Sequence, residues 1–181
     1  YYAIFYPKSY TIRFYENGGD WGTSSTYKTT TTVFYEDYNI VSGTPTRTGY
    51  TFDGWYTSSS GGSEVTSSTA FKNTSNTYLY AHWDANSYTL TANANGGSIP
   101  STSGWSGTGT KSTKSVDYDS SYGTLPTPTR TGYTFDGWYD ASSGGNKVTS
   151  STKMTTLGET IYAHWTANGY TLTMNANGGS I

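Results

Sequence analysis

The sequence predicts a β-rich fold class, α+β at most, built from small modules in tandem with little helix. Three observations predict it. Thr and Tyr, which suit strands, stand beside Ser and 22 Gly, which suit turns, and only two Met accompany a few Leu and Ala. Apolar and polar residues alternate at period two in several segments. Long stretches of the chain also recur.

Composition narrows the function classes. The 181 residues have room for one large domain or two small ones. Mean hydropathy is −0.63 although only 12% of residues are charged, so polarity comes chiefly from hydroxyls. Aromatics reach 17%, unlike the aromatic-poor composition of disordered chains. With no Cys, neither a disulfide nor a thiolate metal site is available. A net charge of −2 lacks the basic footprint of a nucleic-acid partner. The segment contains no apolar run long enough for a membrane span, and no leader peptide opens it.

The repeats set the domain boundaries. "SYTIRFYENGG" from Ser9 recurs as "SYTLTANANGG" from Ser87 and "GYTLTMNANGG" from Gly169. "LYAHWDAN" from Leu79 recurs as "IYAHWTAN" from Ile161. The first motif's tyrosine stands at Tyr10, Tyr88 and Tyr170, spacings of 78 and 82 residues. The extra length falls in the Gly/Ser/Thr loop "SIPSTSGWSGTGTKSTKS", where insertions are tolerated. Residues 9–86 and 87–168 are therefore read as two complete repeat units. Residues 1–8, with Tyr2–Phe5 aligned on "YAHW", are read as the tail strand of a preceding repeat. Residues 169–181 are read as the first strand of a following one, so the chain is expected to be a window onto a longer array.

Each unit opens on a strand. Tyr10, Ile12 and Phe14 share one face, as do Tyr88, Leu90, Ala92 and Ala94, and as Tyr170, Leu172 and Met174 are expected to. The Asn-Gly-Gly that follows accepts positive φ and turns the chain. A second strand is expected over "TTVFYEDY" (31–38) and "KSVDYDSSY" (114–122). The prolines of "GTPT" and "GTLPTPT" then permit no more than a short helical turn. The last strand alternates Leu79, Ala81 and Trp83 with Tyr80 and His82, matched by Ile161, Ala163 and Trp165.

Between these lies "RTGYTFDGWY", at Arg47–Tyr56 and again at Arg130–Tyr139. Tyr50 and Phe52 share a face, but Trp55 is three residues past Phe52 and would point away in a regular strand. A bulge at Gly54 resets the alternation and returns Trp55 to Phe52. The expected structural anchors are Tyr50, Phe52, Gly54, Trp55 and Trp83, with Tyr133, Phe135, Gly137, Trp138 and Trp165 in the second unit.

"YTLTANANGG", "GYTFDGWY" and "LYAHW" in this order resemble the Listeria–Bacteroides repeat, also called the internalin B-repeat, over essentially the whole chain. The resemblance implies β-grasp-like modules in tandem, an extracellular or cell-surface location, and a stalk, spacer or adhesive role. It brings no catalytic residues.

Other candidate sites are weighed against ordinary roles. His82 and His164 occupy matching strand positions, and no ligand cluster at metal spacing surrounds them, so no metal or cofactor is expected. Asp53 and Asp136 stand singly beside a glycine, where geometry explains them better than acid–base chemistry. Trp21 and Trp105, in variable loops, are freer to be exposed and are the candidate ligand contacts. Asn73 opens an "NTS" glycosylation pattern, and the Ser/Thr runs offer O-linked positions. The expected function is a non-enzymatic structural repeat forming an extracellular stalk, rod or filament, its short links holding adjacent units at a fixed angle. Its partners would be neighbouring copies of the same repeat or chain. The alternative is an adhesin module that binds surface glycan or protein.

Overall fold

The computed structural model describes residues 1–4, 6–155 and 158–179. The chain divides into two compact units, Tyr1–Asn86 and Ser87–Ile181. The first contains β1 (Ser9–Tyr15), β2 (Tyr27–Val33), β3 (Tyr50–Tyr56), β4 (Glu64–Val65) and β5 (Thr77–Ala85). The second contains β6 (Ser87–Asn93), β7 (Lys111–Asp117), β8 (Tyr133–Tyr139), β9 (Lys147–Val148) and β10 (Glu159–Ala167). No helix occurs among the described residues. The prolines, glycines and hydroxyl-rich connections account for that.

Each unit is one five-stranded mixed sheet, ordered β2-β1-β5-β3-β4 in the first and β7-β6-β10-β8-β9 in the second. The central pairs β1–β5 and β6–β10 are parallel, and the remaining pairs are antiparallel. One face of each sheet is apolar, as the alternation predicts. In the first unit Ile12, Phe14, Leu79 and Ala81 are fully buried, joined by Trp55, Val65, Tyr38 and Phe71. In the second, Leu90, Ala92, Ala94, Ile161 and Ala163 meet Ile99, Tyr122, Trp138 and Met154. Phe14 gives way to Ala92 and Phe71 to Met154, so one pattern is filled with different volumes.

The second strand departs from expectation. It lies earlier, at Tyr27–Val33 and Lys111–Asp117, and the chain turns where the strand was predicted to continue. Tyr35 and Asp119 adopt φ of 69° and 60° in these turns, and Tyr38 and Tyr122 fold back into the cores. Pairing with the first strand decides the register, Tyr10 against Thr32 and Tyr88 against Val116. The run of threonines suits an edge strand with one face in water.

The flanking segments also differ from expectation. Among the described residues, 1–8 and 169–179 form no strand. Tyr170, Leu172 and Met174 are 80%, 85% and 66% exposed rather than turned to a core. Their counterparts in β1 and β6 are covered by strands on both sides and by crossing loops, which these segments do not meet. Phe5, Ser180 and Ile181, also in the predicted flanking strands, lie outside the described residues.

Candidate functional site

The repeated motif occupies β3 and β8. In the first unit Phe52 faces Trp83 and Gly54 faces His82, so the pairing skips Asp53. In the second, Phe135 faces Trp165 and Gly137 faces His164, skipping Asp136. The extra residue is a bulge, and it returns the tryptophan to the phenylalanine's side. Phe52 and Trp55 meet edge to face at 5.2 Å, Phe135 and Trp138 at 5.6 Å. Phe52 and Phe135 also touch Trp83 and Trp165, at 5.7 and 5.5 Å. Trp55 and Trp138 are buried, while Phe52, Phe135, Trp83 and Trp165 pack at the core margin.

Tyr50 and Tyr133 lie outside these clusters. Each instead carries a guanidinium, Arg47 at 3.8 Å and Arg130 at 3.7 Å. Gly54 and Gly137 sit on the bulge, Gly137 at a φ of 143°. A side chain at Gly54 would press on Glu64 and Tyr56, 3.2 and 3.3 Å from its Cβ.

Beside the bulge each unit has an open polar cleft of about 250–270 Å³. Asn17, Arg47, the Ser59–Gly61 loop, His82 and Trp83 line the first. Asn95, Arg130, Asp136, the Ser142–Gly144 loop, His164 and Trp165 line the second. Most of their polar groups are engaged internally. Asn17 Nδ2 donates to Ser59 O and Ala81 O at 3.0 and 2.8 Å, and Asn95 Nδ2 to Ser142 O and Ala163 O at 2.9 and 3.0 Å. His82 Nε2 contacts Ser58 O at 2.9 Å while its ring stacks on Tyr56 at 3.9 Å. His164 repeats this with Ala141 O and Tyr139. The bonds tie the loop after the motif to the turn after the first strand and to the last strand.

The aspartates are engaged too. Asp53 accepts from the Tyr56 hydroxyl at 2.7 Å, and Asp136 accepts from the Thr166 hydroxyl at 3.0 and 2.9 Å. Among the described residues no group of three or more His, Cys, Asp or Glu is disposed to hold a metal ion. The arrangement can fix loops; it does not oppose two carboxylates across a cleft as glycoside hydrolysis requires.

The two loop tryptophans are less free than expected. Trp21 is half-buried, stacked on Trp55 at 5.7 Å under the Lys28 ammonium, and its indole nitrogen is buried without an acceptor. Trp105 is half-buried on the second core and donates to Thr124 O at 2.9 Å. The repeat contained the signal for Trp21: "NGGDW" aligns with "NGGSI", which puts Trp21 opposite the buried Ile99. Asn73 is exposed, and its side-chain nitrogen donates to Tyr38 Oη at 3.2 Å and Thr77 Oγ1 at 2.8 Å. A feature the sequence reading missed is the second glycine of each Asn-Gly-Gly. A Cβ on Gly19 or Gly97 would meet the ring of Trp83 or Trp165 at 2.4 Å.

Comparison with known proteins agrees with the repeats. Residues 10–82 and 88–164 match the Listeria-Bacteroides repeat domain. Internalin H of Listeria monocytogenes serovar 1/2a is 38% identical over 125 residues, 68% of this chain and 20% of that protein. Two Evansella cellulosilytica proteins, provisionally described as membrane proteins, are also similar. The one described as Gly-rich is 28% identical over 186 residues, covering 99% of this chain and 20% of its own length. The other is 30% identical over 139 residues, covering 75% and 19%. The chain thus spans about a fifth of the length of these relatives. No helix among the described residues is long and apolar enough to cross a membrane.

Proposed function

Because this chain belongs to the Listeria-Bacteroides repeat family, we propose that it is a non-enzymatic structural segment of a bacterial surface protein. It serves as part of an extracellular stalk, rod or filament. The observation that supports this reading most is the tandem recurrence of one module with its own core, joined through a single residue. β5 ends at Ala85 and β6 begins at Ser87. Modules in series supply length from one small design.

The internal use of the repeated polar groups supports the absence of catalysis. His82, His164, Asp53 and Asp136, the groups that would be asked to do chemistry, hold loops and neighbouring side chains. The partners proposed are neighbouring copies of the same repeat. Residues 169–179 repeat the first-strand pattern of Ser87–Gly97, and beside a following module they would pair as its first strand. Beside a preceding module, residues 1–8 would pair as its last strand. Seven-residue β2 and β7 are sheet edges, and low overall charge provides little repulsion against sideways association.

Electron microscopy and small-angle scattering of the purified protein test the reading. Extended particles that lengthen with the number of repeats are expected. Compact globules whose dimensions do not grow with repeat number would overturn it, as would a hydrolase activity abolished by Asp53→Asn with Asp136→Asn.

A further inference from the structure

Four Asn-Gly pairs stand in the chain, at Asn17, Asn95, Asn168 and Asn177. An asparagine before glycine is prone to cyclise, because glycine has no Cβ to shield its backbone nitrogen from the asparagine's amide carbon. The repeat supplies its own comparison. "NANGGSI" reads at Asn93–Ile99 and again at Asn175–Ile181. The two turns are locally alike: φ is 48° at Asn95 and 44° at Asn177, and 92° at both Gly96 and Gly178. Asn95 N donates to Asn93 Oδ1 at 3.0 Å, and Asn177 N to Asn175 Oδ1 at 2.8 Å. Gly97 N and Gly179 N likewise donate to Ala94 O and Ala176 O, at 3.0 and 2.8 Å.

What differs is the side-chain nitrogen. Asn95 Nδ2 donates to Ser142 O and Ala163 O, as Asn17 Nδ2 does to Ser59 O and Ala81 O. Both of these asparagines are half-buried. Asn177 is exposed, and among the described residues its Nδ2 meets no acceptor. Asn168, also exposed, engages its Oδ1, which accepts from the Thr134 hydroxyl at 2.7 Å. Nδ2 is the atom that departs when an asparagine cyclises. At Asn17 and Asn95 its departure breaks two hydrogen bonds that join separate elements. At Asn168 and Asn177 it breaks none.

We propose that Asn17 and Asn95 are modification sites gated by folding: closed while the clamp holds, and converted to aspartate and isoaspartate once their unit opens. In an open second unit Gly96 N loses its proton to hydroxide and bonds to Asn95 Cγ. The Cγ–Nδ2 bond breaks, and the nitrogen takes a proton from water and leaves as ammonia. Water then opens the imide ring at either carbonyl, giving aspartate or isoaspartate with no change of oxidation state. The product is a carboxylate, which accepts hydrogen bonds and donates none. It would face Ser142 O and Ala163 O without a donor, so the clamp cannot be rebuilt. The isoaspartyl form also adds a carbon to the main chain just before Gly97, where even a Cβ would meet the Trp165 ring at 2.4 Å. A unit that has stayed open is thereby marked and kept from closing as before. The device needs only one folded unit and is independent of any stalk role.

Incubation of the whole chain at mildly alkaline pH, in buffer and in denaturing urea, tests the proposal through peptide mapping by mass spectrometry. In buffer, Asn177 and Asn168 are expected to convert at least about tenfold faster than Asn95 and Asn17. In urea the rates at Asn95 and Asn177 should converge, since their surroundings in sequence are identical. Both aspartyl and isoaspartyl products should appear. Gly178→Ala, outside both cores, should slow conversion at Asn177 about tenfold or more, because the ring closes through that nitrogen. Chains converted in urea and returned to buffer should melt lower than chains exposed to urea too briefly to react. Three results would overturn the proposal: conversion of Asn95 as fast as Asn177 in buffer, a slower Asn95 persisting in urea, or converted chains that regain the original melting.

Discussion

A methyl group added to Gly97 would sit 2.4 Å from Cζ2 of Trp165 and 2.7 Å from the Thr129 carbonyl oxygen. Neither can retreat easily, because the Trp165 indole donates to Ala94 O at 2.9 Å and the Thr129 carbonyl accepts from Ser98 N at 2.8 Å. Gly97→Ala should therefore destabilise the second unit by about 1–3 kcal/mol, read from denaturant midpoints. Gly54→Val, crowding Glu64 and Tyr56, should cost more than Asp53→Asn, whose remaining carbonyl oxygen still accepts from Tyr56. Equal effects would count against the bulge as the reason for the glycine. The Asp53 partnership is also visible in titration. Its hydrogen bond is the main cause that pushes the Tyr56 hydroxyl from 10.0 up to about 12. The folded chain holds that proton more tightly than the unfolded one, so the contribution to stability is complete below pH 10 and is lost as pH rises through 12. Ultraviolet titration should find one tyrosine ionising near pH 12, and Asp53→Asn should bring it down toward 10.

At the scale of elements, Asn17 and Asn95 link three of them at once. Each adopts positive φ, 46° and 48°, in the turn after a first strand, and its amide holds both the post-motif loop and the last strand. Asn95→Ala strains the turn and leaves the Ser142 and Ala163 carbonyls without that donor. A loss of about 1–3 kcal/mol is expected, with faster amide exchange in the loop around Ser142. How legible the elements were depends on where their determinants lie. β1, β3 and β5 were readable because alternation and the bulge act within a few residues. β2 and β7 were misplaced because their positions are fixed by pairing with a distant strand. The run of aromatics at Phe34–Tyr38 resembles a strand, yet it is the turn that returns Tyr38 to the core. The Asn clamp was illegible for the same reason: it unites residues far apart in sequence. Trp21 was legible in principle, through its alignment with Ile99.

At the scale of the whole chain, the two cores share no residue: one runs from Tyr10 to Trp83, the other from Tyr88 to Trp165. Their fillings differ as well. Where Phe14 and Trp21 supply aromatic volume to the first core, Ala92 and Ile99 stand in the second, and the longer loop brings Trp105 onto it. Leu79→Ala should therefore cost about 2–5 kcal/mol in the first unit alone. Calorimetry should resolve it as a downward shift of one thermal transition, while amide protection around Ile161 persists. A single transition that moves as a whole would mean that the units unfold as one cooperative block.

In each unit the first and last strands are parallel neighbours at the centre of the sheet, Ile12 beside Thr77 through Tyr15 beside Tyr80. Because these strands run the same way, the polypeptide enters a unit at one end of its sheet and departs from the opposite end. Tension applied through the termini consequently slides β1 against β5, and the backbone bonds between them bear the load together rather than opening one after another. The pairing that builds the core is thus also the one that a pull on both ends of a unit would load in shear.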